Sequence, residues 1–358
     1  MRIVRYYPRA VVGDGGMTSA VRSWSQAMSR CGAEVAIAFD GGGDPYEEAG
    51  VNWYPVRHSG RRGLKVPLRL KEILKSSDLL ILHSAWTLRN VRAGAAARAL
   101  NLPYVLEPRG AYDPHIVSRK KTLKRLWWLA WERKLVTEAQ AIHVFFASER
   151  SHLDALGYRG SVIEASNGRE QPQGPSWDGG SGNYFLWLGR FDPEHKGLDL
   201  LLQAMTRLPV DERPRMRLHG PDWRDRKKKV QQLVTELALE RSVTVGDSVY
   251  GQAKRNLLIE AKGFVYPSRW DACPNAVLES VALGVPTLAG PYPLGQFLAD
   301  RGGAFVAEAE PQSLADGLVL LMSPEAPRVA QKGTEVVRHE LAWDQVAASW
   351  LEQAGTLL

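Results

Sequence analysis

Cysteine is scarce in this chain of 358 residues: only Cys31 and Cys273 occur, far apart and without metal-ligand spacing. A disulfide framework and a zinc site are both excluded, and a reducing cytoplasm is the expected setting. No apolar run approaches the roughly 20 residues that a spanning helix needs, and the most apolar stretches carry charges. The opening MRIVRYYPRAVVG lacks the apolar centre of a signal peptide, and Ile3–Tyr7 reads instead as a buried strand. Internal repeats and low-complexity tracts are absent too. What remains is 44% hydrophobic and 24% charged, the composition of a folded soluble protein long enough for two domains.

Charge is present but unevenly placed. Residues 1–170 hold 26 Lys+Arg against 16 Asp+Glu, whereas the remainder holds 20 against 23. The two halves therefore face different partners. A pI near 9.3 without a recognised module is a poor warrant for nucleic-acid binding, and none is expected.

Strand and helix patterns alternate from end to end. Ile3–Tyr7 is followed by a turn at Gly13-Asp14-Gly15-Gly16 and a helix from about Thr18 to Arg30. Val35–Phe39, a Gly-rich loop at Gly41–Asp44, Leu79–His83 and Tyr104–Glu107 follow. Residues 169–183, spanning most of the polar run GREQPQGPSWDGGSG and the Asn183 that follows it, have the composition of a linker. Alternation resumes through Tyr184–Gly189, Arg215–His219, Val243–Val245, Gly263–Tyr266 and Val285–Ala289. Such alternation predicts parallel sheets with helical crossovers. The expected organisation is a first α/β domain over 1–168, a linker over 169–183, a second doubly wound domain over 184–342, and an amphipathic helix over 343–358. Ligands of open parallel sheets bind at the carboxyl ends of the strands, so two such domains are expected to face a cleft.

Two segments carry chemistry. In VYPSRWDACPNAVLESVALGVP an apolar strand ends at Pro267, an exposed loop is expected to hold Asp271, and Pro274 falls at the first helical position. The amides of Asn275, Ala276 and Val277 are then expected to be unpaired donors at a helix start. Glu279, in the second turn, suits the paired hydroxyls of a ribose; the plain alternative is a solvated surface Glu. In LGRFDPEHKGLDLLLQA, Arg190 ends a buried strand and Lys196 falls just before or inside the first turn of an apolar-faced helix. A cation at a helix start opposes the macrodipole unless an anion lies between. Two cations around one strand-to-helix turn suit a diphosphate, although either alone is an ordinary surface charge.

Together these segments resemble the large family-four retaining glycosyltransferases of GT-B architecture, in which GR and KG open the second domain and PS-x-x-E-x7-E and a GxP turn follow. Gly189-Arg190, Lys196-Gly197, Pro267-Ser268, Glu279 and Gly284-Val285-Pro286 match. The resemblance extends over nearly the whole chain, from Gly15-Gly16 to the terminal helix, which in this fold returns to the first domain. It implies that Arg190 and Lys196 hold the donor diphosphate, that Glu279 binds the ribose, and that Asn275–Val277 meet the sugar. Gly15 and Gly16 would let backbone approach the phosphates, and the base would lie near Asp247–Gly251. Two departures stand out. The first acid of the E-x7-E pair is Asp271, one methylene shorter. Where many members have His-Gly, this chain has Glu107-Pro108-Arg109-Gly110, similar to a PRG variant among polysaccharide-assembly members. Arg109 would either donate to the sugar or phosphate or pin its loop, and His83 is expected to be structural. With no Asp-x-Asp pair, transfer without a metal or other cofactor is expected, the nucleotide sugar being a co-substrate.

A nucleotide-sugar epimerase on the same architecture and an NAD-dependent oxidoreductase are the alternatives. The latter has only a partial glycine motif at Gly13-x-Gly15 with Asp40. The expected acceptor is a saccharide, lipid-linked or otherwise close to the inner membrane face. Arg57–Lys75 and Arg119–Lys134 each hold seven Lys+Arg and one acid, and the second adds Trp127, Trp128 and Trp131. Tryptophan beside cations suits an anionic headgroup layer, while packing on the core is the plain alternative for the rings.

Overall fold

Three strands, Leu79–His83, Phe185–Leu188 and Gly263–Tyr266, are buried at every position. Continuous apolar runs of this kind arise where helices cover both faces of a parallel sheet. The structure, a computed structural model, describes residues 1–11, 15–41, 46–57 and 65–358. It divides into one unit formed by Met1–Gly168 with Trp343–Leu358 and another formed by Arg169–Ala342.

The first unit runs β1 (Arg2–Tyr7), α1 (Gly15–Arg30), β2 (Glu34–Asp40), β3 (Val51–Val56), α2 (Leu68–Lys75), β4 (Leu79–His83) and α3 (Leu88–Ala99). It continues with β5 (Tyr104–Glu107), α4 (Pro114–Ser118), α5 (Lys121–Trp127), a π-helical turn (Trp128–Glu132), α6 (Arg133–Thr137), β6 (Ala141–Val144), α7 (Arg150–Ala155) and β7 (Val162–Glu164). The sheet order is β3-β2-β1-β4-β5-β6-β7, with parallel pairing throughout the described residues. Its order reverses between β1 and β4, the switch point at which such sheets bind ligands.

Strand β8 (Phe185–Leu188) opens the second unit, followed by α8 (Pro193–Lys196), α9 (Leu198–Thr206), β9 (Met216–His219), α10 (Arg226–Glu236), β10 (Val243–Val245) and α11 (Gly251–Glu260). Then come β11 (Gly263–Tyr266), α12 (Asn275–Ala282), β12 (Thr287–Ala289), α13 (Pro293–Asp300), β13 (Phe305–Val306), α14 (Pro311–Leu321) and α15 (Ala326–Glu340). The parallel order β10-β9-β8-β11-β12-β13 reverses between β8 and β11. Both sheets are therefore Rossmann-like.

The last helix, α16 (Trp343–Leu357), belongs to the first unit. Its Trp343, Val346, Ala347, Trp350 and Ala354 share a core with Trp24, Ala27 and Met28 of α1. The spacing of these residues places one apolar stripe on each helix. Burying Trp350 completely contributes about 3 kcal/mol.

Several boundaries differ from the sequence reading. Gly15 and Gly16 form the first turn of α1, which starts before Thr18; Gly15 accepts φ +52° there. Gly13, Asp14, Gly42–Asp44 and 58–64 lie outside the described residues. Strand β12 starts at Thr287 rather than Val285, because Val285 and Pro286 complete the turn out of α12. Segment 169–183 is irregular but docked: Trp177 donates its amide to Leu283 O at 2.9 Å and its Nε1 to Ala261 O at 2.8 Å. Strands β3, β6, β7 and β13 were not among those expected; β3 contains Pro55, and β7 and β13 have only three and two residues.

Candidate active site

The loop after β8 and the loop after β11 meet at the sheet reversal of the second unit. Arg190 follows the buried β8. Its guanidinium carbon lies 4.4 Å from the Trp223 ring centre, and Nη2 is 3.9 Å from Asp192 Oδ2. Its Nε is buried without a hydrogen-bond partner. Asp192 is also paired with Arg226 of α10.

Lys196 closes the single turn of α8, just ahead of the first turn of α9, one of the two places expected for it. The joint is Gly197 at φ +66°, and a Cβ there would stand 1.9 Å from Pro267 O. The KG pair is thus a close approach between two backbones, which only glycine permits. Lys196 is buried, its ammonium 2.6 Å from Asp271 Oδ2 and 5.2 Å from the Tyr266 ring centre.

The loop holding Asp271 is not exposed as expected. Trp270, Ala272 and Cys273 are buried and Asp271 is half-buried, because α8 and α9 clamp the loop. Ser268 Oγ donates to His195 O at 3.0 Å, and Arg269 forks Asp199 at 2.7 and 2.8 Å. The His195 ring stacks on Trp270 at 4.8 Å and 7°, with Nε2 2.8 Å from Trp270 O. Burial, then the Lys196 charge, pulls the His195 pKa down to about 4, so the ring is neutral near pH 7. Burial, the largest influence, opposes ionisation of Asp271, but Lys196, His195 and the Tyr266 hydroxyl together outweigh it and leave the carboxyl below its ordinary range.

Pro274 caps α12 rather than opening it. Its carbonyl accepts the amides of Val277 at 3.1 Å and Leu278 at 3.3 Å, so the buried Val277 is not the unpaired donor expected. Asn275 and Ala276 remain half-buried at the helix start. Glu279 is not a bare carboxylate: Lys254 Nζ lies 2.7 Å from Oε2 and Arg169 Nη2 3.3 Å from Oε1. Two bonds close the helix, Gly284 N to Val281 O and Val285 N to Ser280 O, both 3.0 Å, with Gly284 at φ +80°. Beyond β10, Asp247 pairs with Lys227 and its carbonyl lies 3.0 Å from His219 Nδ1.

In the first unit, the carboxyl ends of β4 and β5 carry a buried polar network. Glu107 accepts from Arg5 Nη2 at 3.1 Å, faces His83 Nδ1 at 3.1 Å and pairs with Arg109. His83 Nε2 accepts from Arg5 Nε at 3.2 Å. Complete burial lowers the His83 pKa to about 4, so this histidine is a neutral packing group. Arg109 has φ +53°, its side chain is buried, and Nη2 donates to Asn167 Oδ1 at 3.3 Å. The same oxygen accepts from Trp24 Nε1 at 3.0 Å. The guanidinium therefore pins the loop. Sequence reasoning missed Arg5, Trp24 and Asn167 here, and Arg169, Trp223 and Lys254 in the second unit. A charge inside the apolar run of β1 was the one available signal, for Arg5.

The basic segment 119–134 is mixed in character. Trp128 packs on the core beside Trp86 and Tyr112, and Trp127 Nε1 donates to Glu132 Oε2 at 2.9 Å. Lys124 donates to Ile116 O and lies 5.3 Å from the Trp86 ring centre. Left outside are Leu123, Leu126, Leu129 and Trp131, at 61, 61, 60 and 44% exposure. Among the described residues no helix is long and apolar enough to cross a membrane.

Comparisons with known proteins agree over both units. A family model described as "Glycosyl transferase 4-like domain" matches residues 15–168, and one described as "Glycosyl transferases group 1" matches 182–323. Sucrose-phosphate synthase from Thermosynechococcus elongatus superposes with a TM-score of 0.79 at 16% identity, covering 100% of this chain and 99% of its own. The Anabaena protein HepE, in complex with UDP and glucose, gives 0.78 at 15% identity over 99% of this chain and 100% of its own. The lipopolysaccharide outer core galactosyltransferase WaaB, in its apo form, gives 0.71 at 16% identity over 100% of both chains. No curated protein matches the chain.

Proposed function

The chain belongs to the family-four glycosyltransferases of GT-B fold, and from that premise we propose that it moves a sugar, with retained anomeric configuration, from a nucleotide diphosphate to a saccharide. The observation that carries this reading is the pair of cations after β8, Arg190 and Lys196, beside the α12 start and Glu279, all at the reversal of the second sheet. In HepE the bound molecules are UDP and glucose, and a nucleotide sugar is the donor proposed for this chain.

In the proposed reaction the bond from the anomeric carbon to the diphosphate oxygen breaks as the bond to the acceptor oxygen forms on the same face. The acceptor proton passes to the departing phosphate. The protein then needs little acid–base machinery; its main task is to hold positive charge where negative charge develops. Arg190 supplies a fork for phosphate oxygens and Lys196 a point charge. Because two fixed cations do this work, the proposal includes transfer without a metal ion or other cofactor. Glu279 accepts ribose hydroxyls, while Asn275 and Ala276 line the sugar side. Gly15 and Gly16 are the backbone contribution proposed for the first unit, and Arg109 supports its loop through Glu107 and Asn167.

For the acceptor we propose a lipid-linked saccharide reached at the inner membrane face. Support comes from the exposed leucines of α5 and the π turn, set among Lys120, Lys121 and Arg125. WaaB is a lipopolysaccharide outer core galactosyltransferase.

The test is turnover of a panel of nucleotide sugars in excess chelator, with the product anomer read by NMR. Arg190→Ala and Lys196→Ala should each lower kcat/KM by about 2–4 kcal/mol of transition-state stabilisation, the scale of one preorganised donor. Near-normal kcat/KM in both variants rejects the assignment.

A further inference from the structure

We propose that Asp271 is a positioning residue: the resident counter-ion of Lys196, which holds the ammonium in place and competes with the donor diphosphate for it. The inference rests on the donor-site reading above and gives the shortened acid a role other than sugar ligand.

The geometry is specific. Asp271 Oδ2 stands 2.6 Å from Lys196 Nζ and accepts from Tyr266 Oη at 3.3 Å. Both partners are part of the protein. The shorter side chain sits on a loop that Arg269–Asp199, Ser268–His195 and the His195–Trp270 stack tie to α8 and α9. Carboxylate and ammonium are thus carried by one rigid block, and neither need be recruited when a ligand arrives. Burial alone would push the Asp271 carboxyl up; Lys196, with His195 and Tyr266, keeps it ionised.

The charge balance has a consequence. With Asp271 against it, Lys196 presents no net charge, so a diphosphate meets the single excess charge of Arg190 and Arg226, which share Asp192. Binding becomes a partial ion exchange, in which phosphate oxygens take N–H bonds that otherwise face Asp271. An ammonium has three N–H donors, so Asp271 retains one bond and keeps Lys196 aimed while the others turn to phosphate. The same carboxylate repels the nucleoside diphosphate left after transfer and favours its release.

Calorimetry with UDP, GDP and ADP, paired with steady-state kinetics on the accepted donor, tests this. Asp271→Asn removes the competing charge, so the nucleoside diphosphate should bind about fivefold tighter, the scale of one partly buried ion pair. kcat should fall at the same time, because Lys196 is no longer held. Asp271→Glu keeps the charge and should return affinity toward that of the unaltered protein. In a Lys196→Met background, Asp271→Asn should lose most of its effect. If Asp271→Asn does not fold, Asp271→Ser at an unchanged melting temperature serves in its place. Unchanged or weaker nucleotide binding together with a raised donor KM means a sugar ligand and overturns the inference. An unaltered protein that binds none of the three nucleotides overturns the donor-site reading itself, and this inference with it.

Discussion

Glu279 shows how a single position acquires its chemistry from neighbours that its own segment does not contain. The carboxylate lies in the second turn of α12, where the motif placed it, but Lys254 of α11 and Arg169 at the start of the unit hold both its oxygens. A carboxylate has about four lone-pair directions, so ribose hydroxyls still find acceptors. Glu279→Gln keeps the shape and removes the charge. A charge-assisted hydrogen bond is worth about 1.5–3 kcal/mol, so nucleoside diphosphate binding should weaken about tenfold or more. The melting temperature should barely move, since both cations are partly exposed and such pairs contribute about 1 kcal/mol or less. Calorimetry beside a thermal melt decides: unchanged affinity at an unchanged melting temperature removes Glu279 from the ribose site.

At the scale of elements, the joint between α8 and α9 is the sharpest test of why a motif residue is what it is. Gly197 and Gly251 both have positive φ, +66° and +55°. A Cβ on Gly251 would meet nothing within 4 Å, whereas one on Gly197 would stand 1.9 Å from Pro267 O. The left-handed backbone alone costs alanine about 1–2 kcal/mol. Gly251→Ala should therefore lose about that much in urea unfolding. Gly197→Ala should lose clearly more, and kcat/KM should fall because Lys196 and the Asp271 loop are pushed apart. Equal losses would mean that the approach to Pro267 does not select the glycine. The positions of Arg190 after a strand and Lys196 before a helix were legible because strand, turn and helix signals are local. The clamp between loop 268–271 and α8 was not, since it joins residues 70 or more apart. Val277 was misread for a related reason: whether a first-turn amide is free depends on the carbonyl of the capping residue.

On the scale of the whole molecule, the surplus of positive charge in residues 1–170 meets a cluster of exposed apolar side chains in the helical segment 120–134. Leu123, Leu126, Leu129 and Trp131 are exposed there beside Lys120, Lys121 and Arg125. Each Lys or Arg near an anionic surface contributes about 1 kcal/mol, and inserted leucines add apolar burial. Co-sedimentation with vesicles should need anionic lipid and weaken at high salt. It should drop when Lys120, Lys121, Lys124 and Arg125 become Ser, and again, independently of salt, when Leu126 and Leu129 become Glu. A protein that stays in the supernatant with anionic vesicles at low salt has a soluble acceptor.

The sequence by itself determined two Rossmann-like halves and the turns that carry Arg190, Lys196 and Glu279. Those features follow from apolar periodicity and turn chemistry, which act over a few residues. Tertiary structure alone decided the partners. Lys196 meets Asp271 across 75 positions and Arg5 meets Glu107 across 102. Those pairings depend on which strands lie side by side, and strand order comes from packing whole elements, not from any local pattern. The same holds for the exposed leucines: a helix's spacing shows that it has an apolar face, but only its neighbours decide whether that face is covered.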